Sequence, residues 1–424
     1  LILKGGFIMK ETKLHSSQLS VIEGNNGLKM YLSGLSVGRE ATSRSSLYHL
    51  PNKTELLSPD DILDRWRKVL NSLDNDDIFD KNVFQFDSRQ LEKWGPQGEV
   101  APIADLMDEV VLPTFSRSSK HSTAFATSNW ALAKRSAVRI LHRNGAIGLS
   151  PVSYKRVIDD MRARDTLESN SGWPLFTKRS KPEVIAQSIK EAEDGRWKTY
   201  PAIALFRNYN RKTRLVWMFP MSANLVEGSF FQSLQSVLMK SELAKQFLAP
   251  WSGFEQVKEV MTSAYAANEF VAASDFSATD AHFQLDTSLE VFDVIKECFQ
   301  PRYRSALEES IHYMHEIPLV VGPTTMLVGE HGVSSGSNWT NFIETIFDLI
   351  LAEYVKIEVG SHQGLYAIGD DMSWYSKTYD AKFADKLAKI GESVGQEIKA
   401  EKTTNDPDKV KSLQRLFQRG YARP

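Results

Sequence analysis

"GLYAIGDDMSWY", residues 364–375, sets two adjacent carboxylates between two apolar, aromatic-rich runs. Leu365, Ala367 and Ile368 on one side and Met372, Trp374 and Tyr375 on the other read as strands, with Gly369-Asp370-Asp371 as the tight connection of a hairpin. One aspartate is ordinary in such a turn. Two side by side repel each other unless each is solvated or a cation lies between them. A solvated turn accounts for the tripeptide taken alone, so its meaning depends on what the rest of the chain brings to it.

"NEFVAASDFSATDAHF", 268–283, supplies a partner. Phe270 to Ser274 reads as a buried strand with Asp275 at its C-terminal end, where sheets of this kind present their chemistry, and Asp280 follows beyond a tight Phe276-Ser277-Ala278-Thr279 segment. Alone, Asp275 reads as a cap or turn residue. Beside the hairpin, it would converge with Asp370 and Asp371 at one sheet edge as a site for two hard divalent cations. Two Mg²⁺ ions roughly 3.5 to 4 Å apart suit in-line displacement at phosphorus, and few protein ligands are needed because substrate phosphates complete the coordination.

Between the two acidic strands lies "GEHGVSSGSNWTNFIETIFDLILAEYV". Trp339, Phe342, Ile343, Ile346, Phe347, Ile350, Leu351 and Tyr354 recur at three- and four-residue steps, which makes a helix with a core-facing stripe. The Ser334-Ser335-Gly336-Ser337 loop before it is either an ordinary capped loop or a surface that lies against a substrate backbone. Upstream, "TLESNSGWPLFTKR" holds a Gly-Trp-Pro turn, followed by a helix around 183–194. In "LFRNYNRKTRLVWMFP" four cations, Arg207, Arg211, Lys212 and Arg214, are interleaved with Phe206, Tyr209 and Trp217 in an extended pattern. That segment suits phosphate and base contacts, and equally a sheet edge blunted by charge.

Composition sets the frame. A chain of 424 residues, 42% hydrophobic and 25% charged, buries a large core in one multi-lobed unit or two to three domains. Its 51 basic and 53 acidic residues leave a net charge of −2, so contact with nucleic acid has to rely on local clusters. The single Cys298 rules out an internal disulfide. No apolar run approaches the roughly 20 residues that span a bilayer, and "LILKGGFIM" lacks the length and flanks of a secretory signal. A start at Leu1 and a stop at Pro424 suggest a fragment, with Met9 as an alternative start. "SPDDILDRWRKVLNSL" predicts a capped helix with Ile62, Leu63, Trp66, Val69 and Leu70 on one face. "NWALAKRSAVRILHRNG" predicts another, whose Lys134, Arg135, Arg139 and Arg143 read as a solvated face. His312 and His315 in "HYMHE" make only half a metal site.

Taken in order, the Gly-Trp-Pro turn, basic strand, D-x4-D, Ser-Gly-x3-Thr helix, Gly-Asp-Asp hairpin and a helix ending in "IKAEKT" resemble the motif series of viral RNA-dependent RNA polymerases. "KTRLVWMFP", "SDFSATD", "SSGSNWTNFIET", "AIGDD" and "LQRLFQRGY" closely resemble in spelling the picobirnavirus polymerases within that group, and the resemblance covers about 166–424. It implies an α+β right-hand fold with fingers, a palm of antiparallel sheet backed by helices, and the start of a thumb that is largely missing. The expected division is 1–120 as an N-terminal extension contributing to fingers and fingertips, 121–225 as fingers, 226–282 and 329–412 as the two parts of the palm, 283–328 as a fingers insertion, and 413–424 as primer grip.

The resemblance also implies roles. Asp275 and Asp370 would be the principal ligands of two Mg²⁺ ions, or of Mn²⁺ in their place, with Asp371 assisting. Asp280 would hydrogen-bond the ribose 2′-hydroxyl, which favours ribonucleotides over the substrates of a reverse transcriptase. Ser335, Gly336 and Thr340 match the nucleotide-supporting loop and helix, but the asparagine usual four residues after the threonine is Glu344 here, and Asn341 is the alternative contact. Arg207, Lys212 and Arg214, with Arg211 less strongly, match the triphosphate-binding fingers motif, and Ser171, Gly172, Trp173 and Pro174 match a template-guiding turn. Lys402, with Lys399 competing, aligns with a general acid to pyrophosphate. Template and product RNA, nucleoside triphosphates and a viral capsid protein are the implied partners, in the virion interior and host cytoplasm. A reverse transcriptase-type palm polymerase and a non-catalytic, capsid-associated RNA-binding protein are the alternatives.

Overall fold

The computed structural model describes residues 2–4, 7–39, 58–94, 99–115, 122–422 and 424. Its strands, numbered along the chain, are β1 Ile2–Lys4, β2 Phe7–Lys13, β3 Ala202–Tyr209, β4 Lys212–Met218, β5 Phe270–Ser277, β6 Leu319–Val320, β7 Thr325–Val328, β8 His362–Ile368, β9 Asp371–Ser376, β10 Glu397–Ile398, β11 Thr404–Asn405, β12 Lys409–Ser412 and β13 Arg415–Gln418. One sheet runs β1-β2-β7-β6-β3-β4, a second runs β10-β5-β9-β8 with β11 also on β5, and β12 pairs with β13.

The second sheet positions the acids, and the two-residue period of its strands decides where they point. Along β5, Ala272 and Phe276 enter the main core, while Val271 and Ala273 enter a second cluster with Met261, Tyr265, Val410 and Phe417. Asp275 therefore shares the face of the second cluster. It lies inside the strand, not at its end as the sequence predicts, because β10 pairs with Phe276 and Ser277 and prolongs the ladder. The β8–β9 hairpin closes on an Ile368–Asp371 pair, so its loop is Gly369-Asp370 alone. Gly369 has φ +55°, the first-position requirement of a two-residue turn whose twist matches the strands. Asp371 thus begins β9.

The Trp339–Glu358 helix backs this sheet. Every member of its apolar stripe is buried, and Trp130 of the Ser128–Arg143 helix packs against Phe347 and Tyr354 at ring-centroid distances of 6.0 and 5.3 Å. Lys134 of that second helix is spent on Glu290 and Asp293, whereas Arg135, Arg139 and Arg143 are exposed.

Two helical expectations need adjustment, and one helix was not expected. Ser58 caps the Pro59–Asn71 helix reciprocally with Asp61, but only Leu63 and Leu70 of its apolar face are buried, and Trp66 and Val69 are each 53% exposed. A further helix, Ile78–Lys93, has no signature in the sequence because none of its residues is buried. The helix expected to end in "IKAEKT" is Phe383–Ser393. The chain reverses through Gly395 into β10, and Lys399 and Lys402 follow on a short turn, not at a helix end.

In the first sheet β2 pairs with β7, and β3 pairs with β6 and β4, so an N-terminal strand and the basic hairpin share one sheet.

Candidate active site

Asp275 stands directly opposite Asp371 in the antiparallel β5–β9 ladder, and Asp370 is at the adjoining hairpin tip. One carboxylate oxygen from each lies within 4.8 Å of the others. The Gly369 N–H donates to Thr345 Oγ1 at 2.9 Å and the Phe276 N–H to the Asp370 carbonyl at 3.4 Å, which fixes the tip against both the helix and β5.

Like charges placed directly opposite are destabilising, and the carboxyls respond. Burial, then the charges of Asp370 and Asp275, raise Asp371 to about 7. Desolvation by the cleft wall, then Asp370, raises Asp275 to about 6 against the opposing Lys402, Lys411 and Arg214. Asp370 is also raised, burial first, with Arg214 opposing. The nearby cations leave this repulsion unresolved. Three converging hard oxygen donors fit a divalent cation of the Mg²⁺ or Mn²⁺ kind.

Behind the tip lies a second tier of acid. Asp280, on the short Thr279–His282 turn, is raised to about 6 by burial and then by Asp370, with Arg214 opposing. Glu344 is buried and raised well above its ordinary value by desolvation, then by Asp280 and Asp370. Asp348, one turn further, is fully buried and raised likewise, with neither oxygen hydrogen-bonded among the described residues. Asn341 is the exposed one of the two residues weighed for the ribose contact. Its Nδ2 would lie 2.8 Å from a Cβ placed on Gly369, against 3.4 Å for Glu344 Oε2.

The serine loop is held from three sides. Ser335 Oγ donates to the Leu215 carbonyl at 3.2 Å, Thr340 Oγ1 donates to the Ser334 carbonyl at 2.6 Å, and Glu227 accepts from Ser337 Oγ and, at 3.0 Å, from the Asn338 N–H. A Cβ on Gly336 would lie 1.6 Å from the Trp217 carbonyl oxygen, so only glycine lets the loop approach β4 this closely. The Ser335 and Thr340 hydroxyls are thus committed to loop geometry.

On β3 and β4, Arg207 and Arg214 form a direct cross-strand pair, and Lys212 pairs with Tyr209 across the turn. All three cations are exposed, and Arg214 acts on Asp370, Asp275 and Asp280. Arg211 Nε is engaged with the Trp94 carbonyl at 3.0 Å. A cationic hairpin therefore faces an anionic hairpin.

Residues 209–423 match the family model described as "Viral RNA-dependent RNA polymerase". The chain belongs to this family. It is 24% identical over 355 residues to a potential RNA-dependent RNA polymerase of human picobirnavirus, covering 78% of this chain and 62% of that protein, so it spans under two thirds of that relative's length. It is also 22% identical over 149 residues to an RNA-directed RNA polymerase of Cryptosporidium parvum virus 1, covering 34% of this chain and 28% of that one. Among solved structures, it superposes on the RNA-dependent RNA polymerase of a human picobirnavirus with a TM-score of 0.75 at 22% identity, covering 97% of this chain and 78% of the other. The right-hand polymerase fold follows from that likeness.

In this chain, Lys402 lines a cleft of about 490 Å³ together with Asp275 and Asp371, whereas Lys399 pairs with Glu397 at 3.7 Å. The Gly-Trp-Pro turn packs into a core of its own. Ser171 and Trp173 are each 3% exposed, and Trp173 packs with Leu14, Leu28 and Ile203, so neither side chain presents a surface to RNA. His315 is buried between Ser288 Oγ and the His331 carbonyl and holds no metal position.

Three groups escaped the sequence reading. Asp348 was hidden in an apolar stripe, although its i, i+4 spacing from Glu344 was a signal. Glu227 is the one charged residue of the Met221–Leu238 helix, which was also legible. Lys411 and its neighbours in the Ile78–Lys93 helix gave no local sign.

Proposed function

We propose that this chain carries the catalytic centre of an RNA-dependent RNA polymerase of a double-stranded RNA virus, serving genome replication and transcription. The observation that carries this reading is the meeting of Asp275, Asp370 and Asp371 at one sheet edge, opposite Arg214. Asp275 and Asp370, assisted by Asp371, would hold the divalent cations. Bound there, such ions supply the positive charge that activates an RNA 3′-hydroxyl and stabilises departing pyrophosphate.

The remaining work falls to the protein. Attack by the 3′-oxygen on the α-phosphorus forms one P–O bond as the bond to pyrophosphate breaks, and the hydroxyl proton passes to solvent water. Arg214, Arg207 and Lys212 hold the triphosphate and offset charge on its leaving portion. Lys402 delivers a proton to pyrophosphate. Asp280 receives the ribose 2′-hydroxyl, and the pinned Ser335-Gly336 loop supports the nucleotide by its backbone. Positioning provides much of the acceleration. In this reading the sheet bearing β3 and β4 belongs to the fingers, the β5–β9–β8 sheet is the palm, and β12–β13 is the primer grip. The protein would act in the virion interior and host cytoplasm beside a capsid protein.

The test is incorporation of the four ribonucleotides on a defined RNA template with Mg²⁺. A complementary product whose sequence follows the template supports the reading. Template-independent addition, or retention of RNA without synthesis, contradicts it.

A further inference from the structure

Cations of the cleft come from both ends of the chain. The Ile78–Lys93 helix contributes Phe86, Arg89 and Lys93 to the cleft lining and β12 contributes Lys409 and Lys411, and Asp275 and Asp371 line the same cleft. The helix docks on the β12–β13 hairpin through side chains alone. Asn82 Nδ2 donates to Gln418 Oε1 at 2.8 Å, Lys411 Nζ donates to Gln90 Oε1 at 3.1 Å, Gln90 Nε2 donates to Gln414 Oε1 at 2.9 Å, and Phe79 stacks on Tyr421 at 4.6 Å. These contacts set the height of the helix over the acids while leaving all of its residues unburied.

The arrangement is uneconomical without a ligand. Lys411, held by Gln90, lines the cleft together with Lys93 and Arg89 of the same helix and with Lys402 and Lys409, so five cations share one space. Burial, then the like charge of Lys93, holds the Lys411 ammonium below its ordinary value. The acids that act on Lys411 are Asp275 and Asp371, whose charge a bound divalent cation would take up. Two lysines from distant parts of the sequence then share a space that asks for an anion. The same cleft holds Asp275 and Asp371, so in the polymerase reading the anion that extends from them is the sugar-phosphate backbone of the strand whose 3′ end is being extended.

We propose that the Ile78–Lys93 helix is the second jaw of a grip on the nascent RNA strand, with Lys93 and Lys411 closing on one backbone phosphate. This rests on the polymerase reading and extends it to a segment outside the 209–423 family match.

Binding of a fluorescein-labelled template–primer RNA duplex is measured by anisotropy across a KCl series, for the parent and for Lys93→Ala, Lys411→Ala, the double variant, Lys93→Arg and Lys81→Ala. Thermal melting is followed alongside to confirm folding. Lys93→Ala and Lys411→Ala each weaken duplex binding roughly 5- to 10-fold at moderate salt and flatten the log–log salt slope by about one. The double variant loses less than the product of the two, Lys93→Arg restores binding, and Lys81→Ala, an exposed helix residue away from the cleft, matches the parent. Unchanged binding in the Lys93 and Lys411 variants overturns the grip while leaving the polymerase reading intact. Tighter duplex binding by Lys93→Ala also overturns it, since the helix would then obstruct the duplex. Failure of the folded parent to bind RNA removes both.

Discussion

Asp275 and Asp371 are direct partners across the β5–β9 ladder, with Asp370 beside them, so three like charges converge where two strands meet a turn. Asp371→Asn should therefore raise stability in metal-free buffer by about 0.5–1 kcal/mol. The sign follows from linkage. The folded pKa of Asp371 is raised to about 7, so the parent loses stability as pH climbs from the ordinary carboxylate range through 7, and the asparagine advantage is largest near pH 8. Thermal melts at pH 5 and pH 8 check this, and Mg²⁺ should stabilise the parent more than the variant.

Glu227→Gln isolates a buried acid away from the metal site. Burial raises Glu227 to about 7, against hydrogen bonds from Ser337, Asn338 and Asn224 and the charge of Arg179. Its folded pKa exceeds its unfolded value, so the parent is favoured below about pH 4.5 and loses that advantage up to about pH 7. The glutamine variant should melt level with the parent at pH 5 and higher at pH 8, by at most about 3 kcal/mol. A constant difference across that range contradicts the assignment.

The sheet and hairpin were legible because period-two alternation and an Asp pair at a turn are local signals. The Trp339–Glu358 helix was legible for the same reason. Whether Asp275 ended its strand was not, since β10 joins from more than a hundred residues away to prolong the ladder. Lys402 and Lys399 looked alike in sequence and were separated only by Glu397 and the turn after β10. Trp173 was matched to a template-guiding turn, and its burial was not legible because the N-terminal helices packed with it carry no motif.

Gly336→Ala places a methyl group 1.6 Å from the Trp217 carbonyl oxygen, so backbone has to move. A loss of about 3 kcal/mol or more is expected, with the KM for nucleotides rising more than kcat falls in whatever folds. Denaturant titration and steady-state incorporation check both parts.

Asp280→Ala should narrow the preference for ribonucleotides over deoxyribonucleotides by about 10-fold or more, while template affinity changes little. Competition between the two sugars on one RNA template gives the ratio. An unchanged preference removes Asp280 from the ribose contact.

The ion site itself is tested most directly by titrating Mn²⁺ into the folded protein and counting free ion by its paramagnetic resonance signal, for the parent and for Asp370→Asn. Saturable binding in the parent, weakened at least about 10-fold in Asp370→Asn with its fold intact, is the predicted result. Equal binding by both proteins would mean that the three aspartates do not act together as a cation site.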